Sequence, residues 1–364
     1  MAGVYLSYPF CAQKCTYCNF ASGVLPAALE PEYLDALVSE IASQAWLRQP
    51  ETVYIGGGTP SRMELSSIDQ ILSGIPGRPW REATIEVAPG TVTYEQADGW
   101  ARAGLNRVSL GVQSFVEREL ARTGRKHTAS IVAHEVGVLR EAGLANFNID
   151  LIAGLPGQTV TSWRESLGWI EKLEPPHVSV YMLEIDDDSR LGHEVLLSGK
   201  RYGAPDVPPD ELTAELYEMA VSELARMGIQ RYEISNFARP GFESLHNLKY
   251  WRLEPYFGFG ADAHSCNGGM RSQNVESAAD YVDRWKKGQS PRLTSTPANQ
   301  AEERFFVGLR LSEGIRPQPE EWRRFDAPIT RFVNEGLLAR DGERLRLTNR
   351  GVLLSNEVFA EFIA

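Results

Sequence analysis

The sequence lacks the features that would indicate a membrane span, secretion or nucleic-acid binding. None of its 364 residues lies in an apolar run of about 18, the length that a membrane-spanning helix needs. The start of the chain has no basic segment followed by an apolar one, as a secretory signal would. Basic residues are outnumbered by acidic ones, 37 to 48, which gives a net charge of −11. We therefore expect a cytoplasmic protein without a membrane anchor that does not bind nucleic acid, although a peripheral encounter with a membrane is compatible with this sequence.

Cysteine is also scarce, and three of the four cysteines fall within one short segment. Cys11, Cys15 and Cys18 follow the pattern C-x3-C-x2-C. A disulfide fits poorly with a reducing compartment, and a structural zinc site needs a fourth ligand, which distant His264 or Cys266 would have to supply. Three thiolates are instead sufficient to hold a [4Fe-4S] cluster in which one iron stays open. An open coordination position is typical of a site that binds a further reactant.

Short apolar runs alternate with helical segments through the first half of the chain. This alternation is typical of βαβ units, and nearly continuous apolar runs are typical of buried parallel strands. Polar or glycine residues follow most of these runs, and in a barrel they would gather at the carboxyl-terminal mouth. The predicted strands are Val4–Tyr8, Val53–Ile55, Thr84–Val87, Arg107–Val112, Phe147–Ile152 and Val178–Leu183; the predicted helices are Tyr33–Trp46, Ser67–Leu72, Ile131–Ala142 and Ser162–Leu173.

The second half of the chain predicts a flap, an extension and a small terminal unit. Asp186–Pro209 reads as an irregular flap over the barrel mouth, and Asp210–Met227 as a helix. Leu338–Thr348 predicts a hairpin that turns at Asp341-Gly342, and Gly351–Ile363 a final helix, together an α+β, winged-helix-like unit. Eleven acidic and ten basic residues from position 300 onward give a net charge of −1, which favours docking against the barrel over DNA binding. We predict three domains: 1–230, the barrel; 231–295, an extension over its mouth; and 296–364.

The cysteine segment resembles the signature of the radical SAM enzymes, including the aromatic Tyr17 directly before Cys18. The resemblance implies an α/β fold with a partial (β/α)6 barrel. It also implies that the open iron is bound by the amino and carboxylate groups of S-adenosylmethionine (SAM). One-electron reduction would then cleave the sulfonium to a 5′-deoxyadenosyl radical.

The same resemblance implies roles for residues at the predicted strand ends. Gly57, Gly58 and Thr59 would hold the methionine amine, since glycine lets backbone groups approach a ligand closely, and Tyr5 would pack beside the cofactor. Four further polar residues follow or end predicted strands, and a purely structural role is the alternative for each. Together they would supply carboxylates for ribose hydroxyls and a cation for the methionine carboxylate. These residues are Glu86, Gln113, Arg125 and Asp150.

Longer motifs resemble the oxygen-independent coproporphyrinogen III oxidases and their relatives, and they span almost the whole chain. In that group the true dehydrogenases carry a fourth cysteine where this chain has Phe20, and they lack the motif His246-Asn247-x-x-Tyr250-Trp251. Both differences favour the HemW-type haem chaperones, which implies haem as a third cofactor. The motifs are "PFCAQKCTYCNF", "YIGGGTPS", "RVSLGVQSF", "NIDLIAGLPGQT", "HNLKYW", "GFGADAHS" and "LTNRGVLLSNEVF".

The resemblance implies that His246 contacts haem iron, since imidazole is a usual axial ligand; a hydrogen-bonded loop histidine is the alternative. We do not expect coproporphyrinogen oxidase activity. Oxidative decarboxylation of coproporphyrinogen III nevertheless stays an alternative, as does another radical SAM reaction on a tetrapyrrole. Ser7 stands where the group usually has His, and Ala88 where Asn is common. The haem-acceptor protein and the electron donor are not identified by the sequence.

Overall fold

Six parallel strands form the centre of the structure. The computed structural model describes residues 1–363, and the central strands are hydrogen-bonded to one another in chain order. Their apolar side chains are almost completely buried, as expected for parallel strands covered on both faces. The predicted α/β partial barrel is confirmed. The strands are β1 (Ala2–Tyr8), β2 (Pro50–Gly57), β3 (Glu82–Val87), β4 (Arg107–Gln113), β5 (Phe147–Ala153) and β6 (His177–Met182).

Helices connect successive strands of the barrel. Two of them, α3 (Tyr94–Arg102) and α4 (Glu117–Arg122), are not among the predicted helices. The start of α3 nevertheless carries a capping box, in which Thr93 Oγ1 accepts from Gln96 N at 3.2 Å and Gln96 Oε1 accepts from Thr93 N at 3.1 Å. The connecting helices are α1 (Leu29–Ser43), α2 (Leu65–Ser73), α3 (Tyr94–Arg102), α4 (Glu117–Arg122), α5 (Ala129–Glu141) and α6 (Val160–Leu173).

Six shorter strands extend the sheet at both edges, to twelve strands in all. β7 (Gln230–Arg231) and β8 (Asn236–Ala238) follow β6 in antiparallel orientation. At the other edge β9 (Tyr256–Phe259) pairs in parallel with β1, and three antiparallel strands continue from it. The predicted boundary at 230/231 therefore falls inside β7, and residues 231–295 are continuous with the barrel sheet. The strands of this second edge are β9 (Tyr256–Phe259), β10 (His264–Asn267), β11 (Met270–Asn274) and β12 (Arg292–Pro297).

The flap predicted at 186–209 contains helix α7 (Arg190–Leu196) and a short 3-10 helix (Arg201–Asp206). It is tied to the cysteine segment, because Leu191 N donates to Thr16 O at 2.8 Å and Asn19 Nδ2 donates to an Asp186 carboxylate oxygen at 3.0 Å. The flap thus lies against the segment that enters the barrel mouth. Three helices complete this part of the chain: α8 (Asp210–Arg226), α9 (Leu245–Trp251) and α10 (Ala278–Lys286).

The C-terminal unit packs around a cluster of phenylalanines. The ring centroid of Phe305 lies 4.6 Å from that of Phe325 and 4.6 Å from that of Phe362. The predicted hairpin is present, whereas the predicted final helix is interrupted at Leu354. The elements are α11 (Gln300–Phe306), α12 (Pro319–Arg324), α13 (Asp326–Asn334), β13 (Leu338–Asp341), β14 (Arg344–Leu347), α14 (Asn349–Leu353) and α15 (Ser355–Ala360).

This unit docks against the barrel through backbone and charged contacts. Ile234 N donates to Arg310 O at 3.1 Å, and Arg271 pairs with both carboxylate oxygens of Glu303 at 2.6 and 2.8 Å. The docked arrangement agrees with the near-balanced charge of the unit. Within residues 1–363, no helix has the length and apolar character needed to cross a membrane.

Candidate functional site

A cavity of about 860 Å³ opens at the carboxyl ends of the barrel strands. This volume lies in the range of pockets that enclose small molecules and cofactors. The structure brings ten of the twelve sequence-predicted site residues to its wall, and Tyr5 and His246 lie elsewhere. The ten are Cys11, Cys15, Cys18, Gly57, Gly58, Thr59, Glu86, Gln113, Arg125 and Asp150.

The cysteine loop, residues 9–25, leaves β1 at the mouth of the barrel. Its start is held by two backbone hydrogen bonds, from Cys11 N to Gly23 O at 2.8 Å and from Gly23 N to Pro9 O at 2.9 Å. All three thiols are free and half-buried. Burial raises the pKa of the Cys11 and Cys18 thiols. Burial therefore disfavours the thiolate form, and a bound metal offsets this because it stabilises the thiolate.

The donor set fits an iron–sulfur cluster better than a single metal ion. Among residues 1–363, no three His, Cys, Asp or Glu side chains are gathered as ligands of one ion. A [4Fe-4S] cluster takes one thiolate at each of three irons, so its ligands need not converge on one point. Three thiols on one loop, all facing the same cavity, therefore suit the cluster.

The glycine loop Gly56–Thr59 packs against the start of the cysteine loop. A Cβ at Gly58 would lie 2.5 Å from Phe10 O, and one at Gly57 would lie 3.0 Å from Tyr8 O. Gly58 N donates to Tyr8 O at 2.6 Å and Thr59 N to Phe10 O at 2.9 Å, while Gly57 N donates to Glu86 Oε2 at 3.0 Å. The glycines are thus required by the chain's own backbone. An ammonium group donates hydrogen bonds, so it would be held here by carbonyl oxygens of the loop.

Two half-buried carboxyl groups face the cavity, one from β3 and one from β5. Glu86 accepts from Tyr54 Oη at 2.9 Å, and burial, with Asp150 nearby, raises its pKa to about 7. Asp150 accepts from Asn148 Nδ2 at 2.7 Å and from Ser109 Oγ at 3.3 Å, and burial also raises its pKa. Hydroxyl donors of a ligand would stabilise the charged form of either group.

Gln113 and Arg125 present polar atoms that have no protein partner. Gln113 ends β4 with a φ of 71°, a conformation that non-glycine residues rarely adopt, beside an irregularity in the β4–β5 pairing. In the described part of the chain, Gln113 Oε1 and Arg125 Nε are buried without a hydrogen bond. Arg125 is otherwise anchored by Nη1, which donates to Gly111 O at 2.6 Å. Backbone strain and unpaired buried polar atoms are typical of a ligand site, so these residues fit a bound cofactor.

His246 and its motif lie at the opposite end of the barrel. Helix α9 begins beside Glu82, the first residue of β3, whose carboxylate accepts from Leu245 N and His246 N, each at 2.9 Å. The "HNLKYW" part of the extension predicted over the mouth is therefore at the amino-terminal ends of the strands. His246 is only 1% exposed. Its Nδ1 lies 2.9 Å from Thr52 Oγ1 and its Nε2 lies 2.7 Å from Tyr250 Oη.

Tyr54 connects this end of the barrel to the cavity. Its ring stacks on His246 with centroids 5.3 Å apart and on Tyr5 at 6.1 Å, while its hydroxyl contacts Glu86. Burial and the nearby Lys249 ammonium lower the pKa of His246 to about 3. The imidazole is therefore neutral, which is the form that binds iron, but both of its nitrogens are occupied. Its role as a haem ligand stays a prediction.

Several cavity residues were not anticipated from the sequence. Arg62 follows the glycine loop, and Tyr181 belongs to β6. The C-terminal unit contributes Arg310 and the segment Leu353–Glu357 to the wall. Arg62 and Tyr181 could have been predicted from the sequence, because they lie shortly after or within a barrel strand. No sequence signal marks Arg310, because tertiary docking places it there.

Comparison with known proteins agrees with this geometry. The Radical SAM superfamily model matches residues 5–170, and the HemN C-terminal domain model matches residues 295–354. "Heme chaperone HemW" of Lactococcus lactis is 34% identical over 99% of this chain and 96% of its own length. The chain belongs to the HemW family of radical SAM proteins. The family's proteins from Bacillus subtilis and Escherichia coli are each 35% identical to it, covering 100% and 99% of this chain and 99% and 98% of their own lengths.

The fold is shared with a solved structure. Coproporphyrinogen III oxidase (HemN) from Escherichia coli, described as a radical SAM enzyme, superposes with a TM-score of 0.84. It is 22% identical, and the match covers 99% of this chain and 89% of that one. This likeness supports the fold alone. Membership of the radical SAM superfamily implies a [4Fe-4S] cluster and SAM as cofactors.

Proposed function

We propose that this protein is a haem chaperone, which binds haem and delivers it to acceptor proteins. The observation that carries the proposal is the similarity over nearly the full chain to several proteins named heme chaperone. The cavity supports it, because it combines room for a cofactor-sized ligand with charged and aromatic side chains in its wall. We also propose that delivery is to an acceptor protein and that it takes place in the cytoplasm.

The three thiols of the cysteine loop would hold the cluster in this function. When bound, the cluster supplies a one-electron couple and one iron open to SAM. The chain's own residues would then orient SAM: Glu86 and Asp150 accept hydrogen bonds from its hydroxyl groups, and Arg125 attracts its carboxylate. Backbone carbonyl oxygens of the glycine loop would accept hydrogen bonds from the amino group of SAM. These assignments rest on the shared cavity and on the unpaired atoms of Gln113 and Arg125.

Decarboxylation of coproporphyrinogen is the alternative function, and Phe20 argues against it. Phe20 is 68% exposed at the rim of the cavity, at the position where the decarboxylating group carries its fourth cysteine. A large exposed apolar side chain supplies no ligand at that position. Another radical SAM reaction on a tetrapyrrole would use the same cavity and is separated from the chaperone function by product analysis.

The proposal is tested by titrating the reconstituted protein with ferric haem. We expect saturable binding near one haem per chain, with a shifted Soret band. Unsaturable, linear absorbance growth would indicate nonspecific association and contradict the proposal. A transfer assay to an apo-haemoprotein, with haem retained when no acceptor is added, tests the delivery step.

Asp150→Asn should weaken SAM binding to the reduced, cluster-loaded protein. The change removes one charge-assisted hydrogen bond, worth about 1.5–3 kcal/mol, or roughly 10- to 100-fold in affinity. The response of the cluster's EPR spectrum to added SAM measures the affinity. Asp98→Asn, on the solvent side of α3 where Asp98 pairs with Arg102, is the matched control and should leave the response unchanged. Equal SAM affinity in the Asp150→Asn and control proteins would remove Asp150 from the site.

His246 is tested by two variants: one removes its Nε2, and the other removes the hydroxyl group that is hydrogen-bonded to Nε2. If Nε2 binds haem iron, the Tyr250 hydroxyl 2.7 Å away competes with the iron. His246→Ala should then weaken haem binding about tenfold or more and shift the Soret band, whereas Tyr250→Phe should bind haem at least as tightly as the wild-type protein. Absorption titration measures both. An unchanged Soret band in His246→Ala would leave His246 with a structural role and make His264, which is exposed at the start of β10, the next residue to replace.

A further inference from the structure

Arg310 is an arginine of the C-terminal unit that reaches the cavity wall. Its guanidinium carbon lies 4.5 Å from the centre of the Trp251 ring, at the end of the "HNLKYW" helix. Arginine stacks on aromatic faces in this way, and stacking fixes the orientation of the planar guanidinium. Trp251 therefore holds Arg310 in one orientation at the wall.

Most of the hydrogen-bonding capacity of Arg310 is unused. A guanidinium carries five N–H donors, and here one side-chain bond is made, from Nη2 to Glu233 Oε2 at a long 3.3 Å. Within residues 1–363, Nε is buried without a partner. The other oxygen of Glu233 is bound by Ser235 N at 2.8 Å and Asn236 Nδ2 at 2.6 Å. Glu233 thus steadies one edge of Arg310. Because Nε is enclosed by protein, the donors left for a ligand are those of the terminal Nη groups.

The chemistry of these donors selects a carboxylate. A planar guanidinium with adjacent free N–H groups matches a carboxylate through two parallel hydrogen bonds. The C-terminal side of the wall also carries Glu357, so the attraction depends on direct contact with Arg310 and not on a general positive potential. Haem carries two propionate carboxylates, and SAM carries one.

We propose that Arg310 binds a propionate of haem in this cavity, with Trp251 as its positioning residue. The inference rests on the proposed haem-binding function. Arg125, on the barrel side and beside Cys15, is the cation assigned to SAM. Arg310 reaches the wall from the C-terminal unit, whereas Arg125 and Arg62 belong to the barrel, so Arg310 is available to a carboxylate other than that of SAM. His246 does not line this cavity, so this assignment and His246 as the iron ligand are alternatives. With haem held by Arg310, the "HNLKYW" motif acts on the cavity through Trp251, at the end of the same helix.

The test compares haem with haem dimethyl ester, in which both carboxylates are neutralised, on the reconstituted full-length protein. Wild-type protein should bind haem about 10- to 100-fold more tightly than the ester, since one charge-assisted hydrogen-bonded pair is lost. Arg310→Gln should lose that preference and bind both equally. Arg346→Gln is the matched control, because Arg346 is exposed on β14 of the same unit, and it should keep the preference.

Trp251 is tested by its own pair, because a positioning role predicts rescue by another aromatic ring. Trp251→Leu should reduce the preference for haem over the ester, and Trp251→Phe should restore most of it. SAM affinity, followed by EPR, should be unchanged in Arg310→Gln. A loss of SAM affinity with haem affinity retained would assign the carboxylate to SAM and overturn the haem assignment.

The failures of the two proposals are distinguishable. If wild-type protein binds haem and its ester equally, Arg310 does not bind a propionate, whatever the folding of the variants, and the chaperone function still stands. If wild-type protein binds neither compound while its cluster is loaded, the proposed function fails and takes the Arg310 assignment with it.

Discussion

Cys15→Ala is expected to lose almost all of the iron and sulfide that the wild-type protein takes up on anaerobic reconstitution, about four of each per chain. Cys15 lies in the middle of the cysteine loop and faces the cavity beside Arg125. Loss of one of three ligands leaves two thiolates, too few to hold the cluster against loss to solvent. Iron and sulfide analysis, with the absorption band of the cluster, measures the outcome.

Cys266→Ala is the matched control for this experiment. Cys266 is also a free, half-buried thiol, so its replacement costs similar packing. It belongs to β10, in the part of the sheet beyond β9, and does not line the cavity. Its cluster content should equal that of the wild-type protein. A full cluster in Cys15→Ala would falsify the assignment of the three thiols.

Gly58→Ala should have the second largest effect, although it removes no ligand. Its new Cβ would lie 2.5, 2.8 and 2.9 Å from the O, C and N atoms of Phe10. These are backbone atoms at the start of the cysteine loop, which cannot rotate away as a side chain could. The loop must shift, at a cost of about 1–3 kcal/mol or more. We expect a lower thermal midpoint, reduced cluster content and weaker SAM binding in the same protein.

Gly137→Ala provides the control for adding a methyl group. Gly137 lies within helix α5, and a Cβ there would meet nothing within 4 Å. Alanine in a helix is favoured over glycine by roughly 0.5–1 kcal/mol, so this variant should be as stable as the wild-type protein or slightly more stable. Wild-type cluster content and thermal midpoint in Gly58→Ala would show that the loop is not constrained by this contact.

The central fold was predictable because its strands are long, apolar and separated by helices. β5, for example, is buried along almost its whole length, and its position in the chain follows from the mostly apolar run that ends before Gly154. The edge strands were not predictable. β9 has four buried residues and pairs with β1, about 250 residues away in the chain. β10 and β11 have four or five residues each of mixed polarity and extend the sheet from β9.

The candidate site was predictable where strand ends converge, since side chains at the carboxyl ends of parallel strands meet at one mouth. This is why Glu86 and Asp150 were found. His246 could not be placed in this way, because its position depends on Glu82 capping α9 from another strand. The glycine loop shows a related limit: its spacing indicates close approach, but only the structure identifies the approaching group as the backbone of Tyr8 and Phe10.

The protein is proposed to bind haem without converting porphyrinogen, and a single reconstituted sample tests both parts. Anaerobically reconstituted protein, loaded with SAM and a strong reductant, is titrated with haem and, in a parallel portion, incubated with coproporphyrinogen III. We expect saturable haem binding and no vinyl products by mass analysis. Formation of vinyl products over several turnovers would contradict the proposal, and would show that a chain with Phe20 in place of a fourth cysteine is an oxidative decarboxylase.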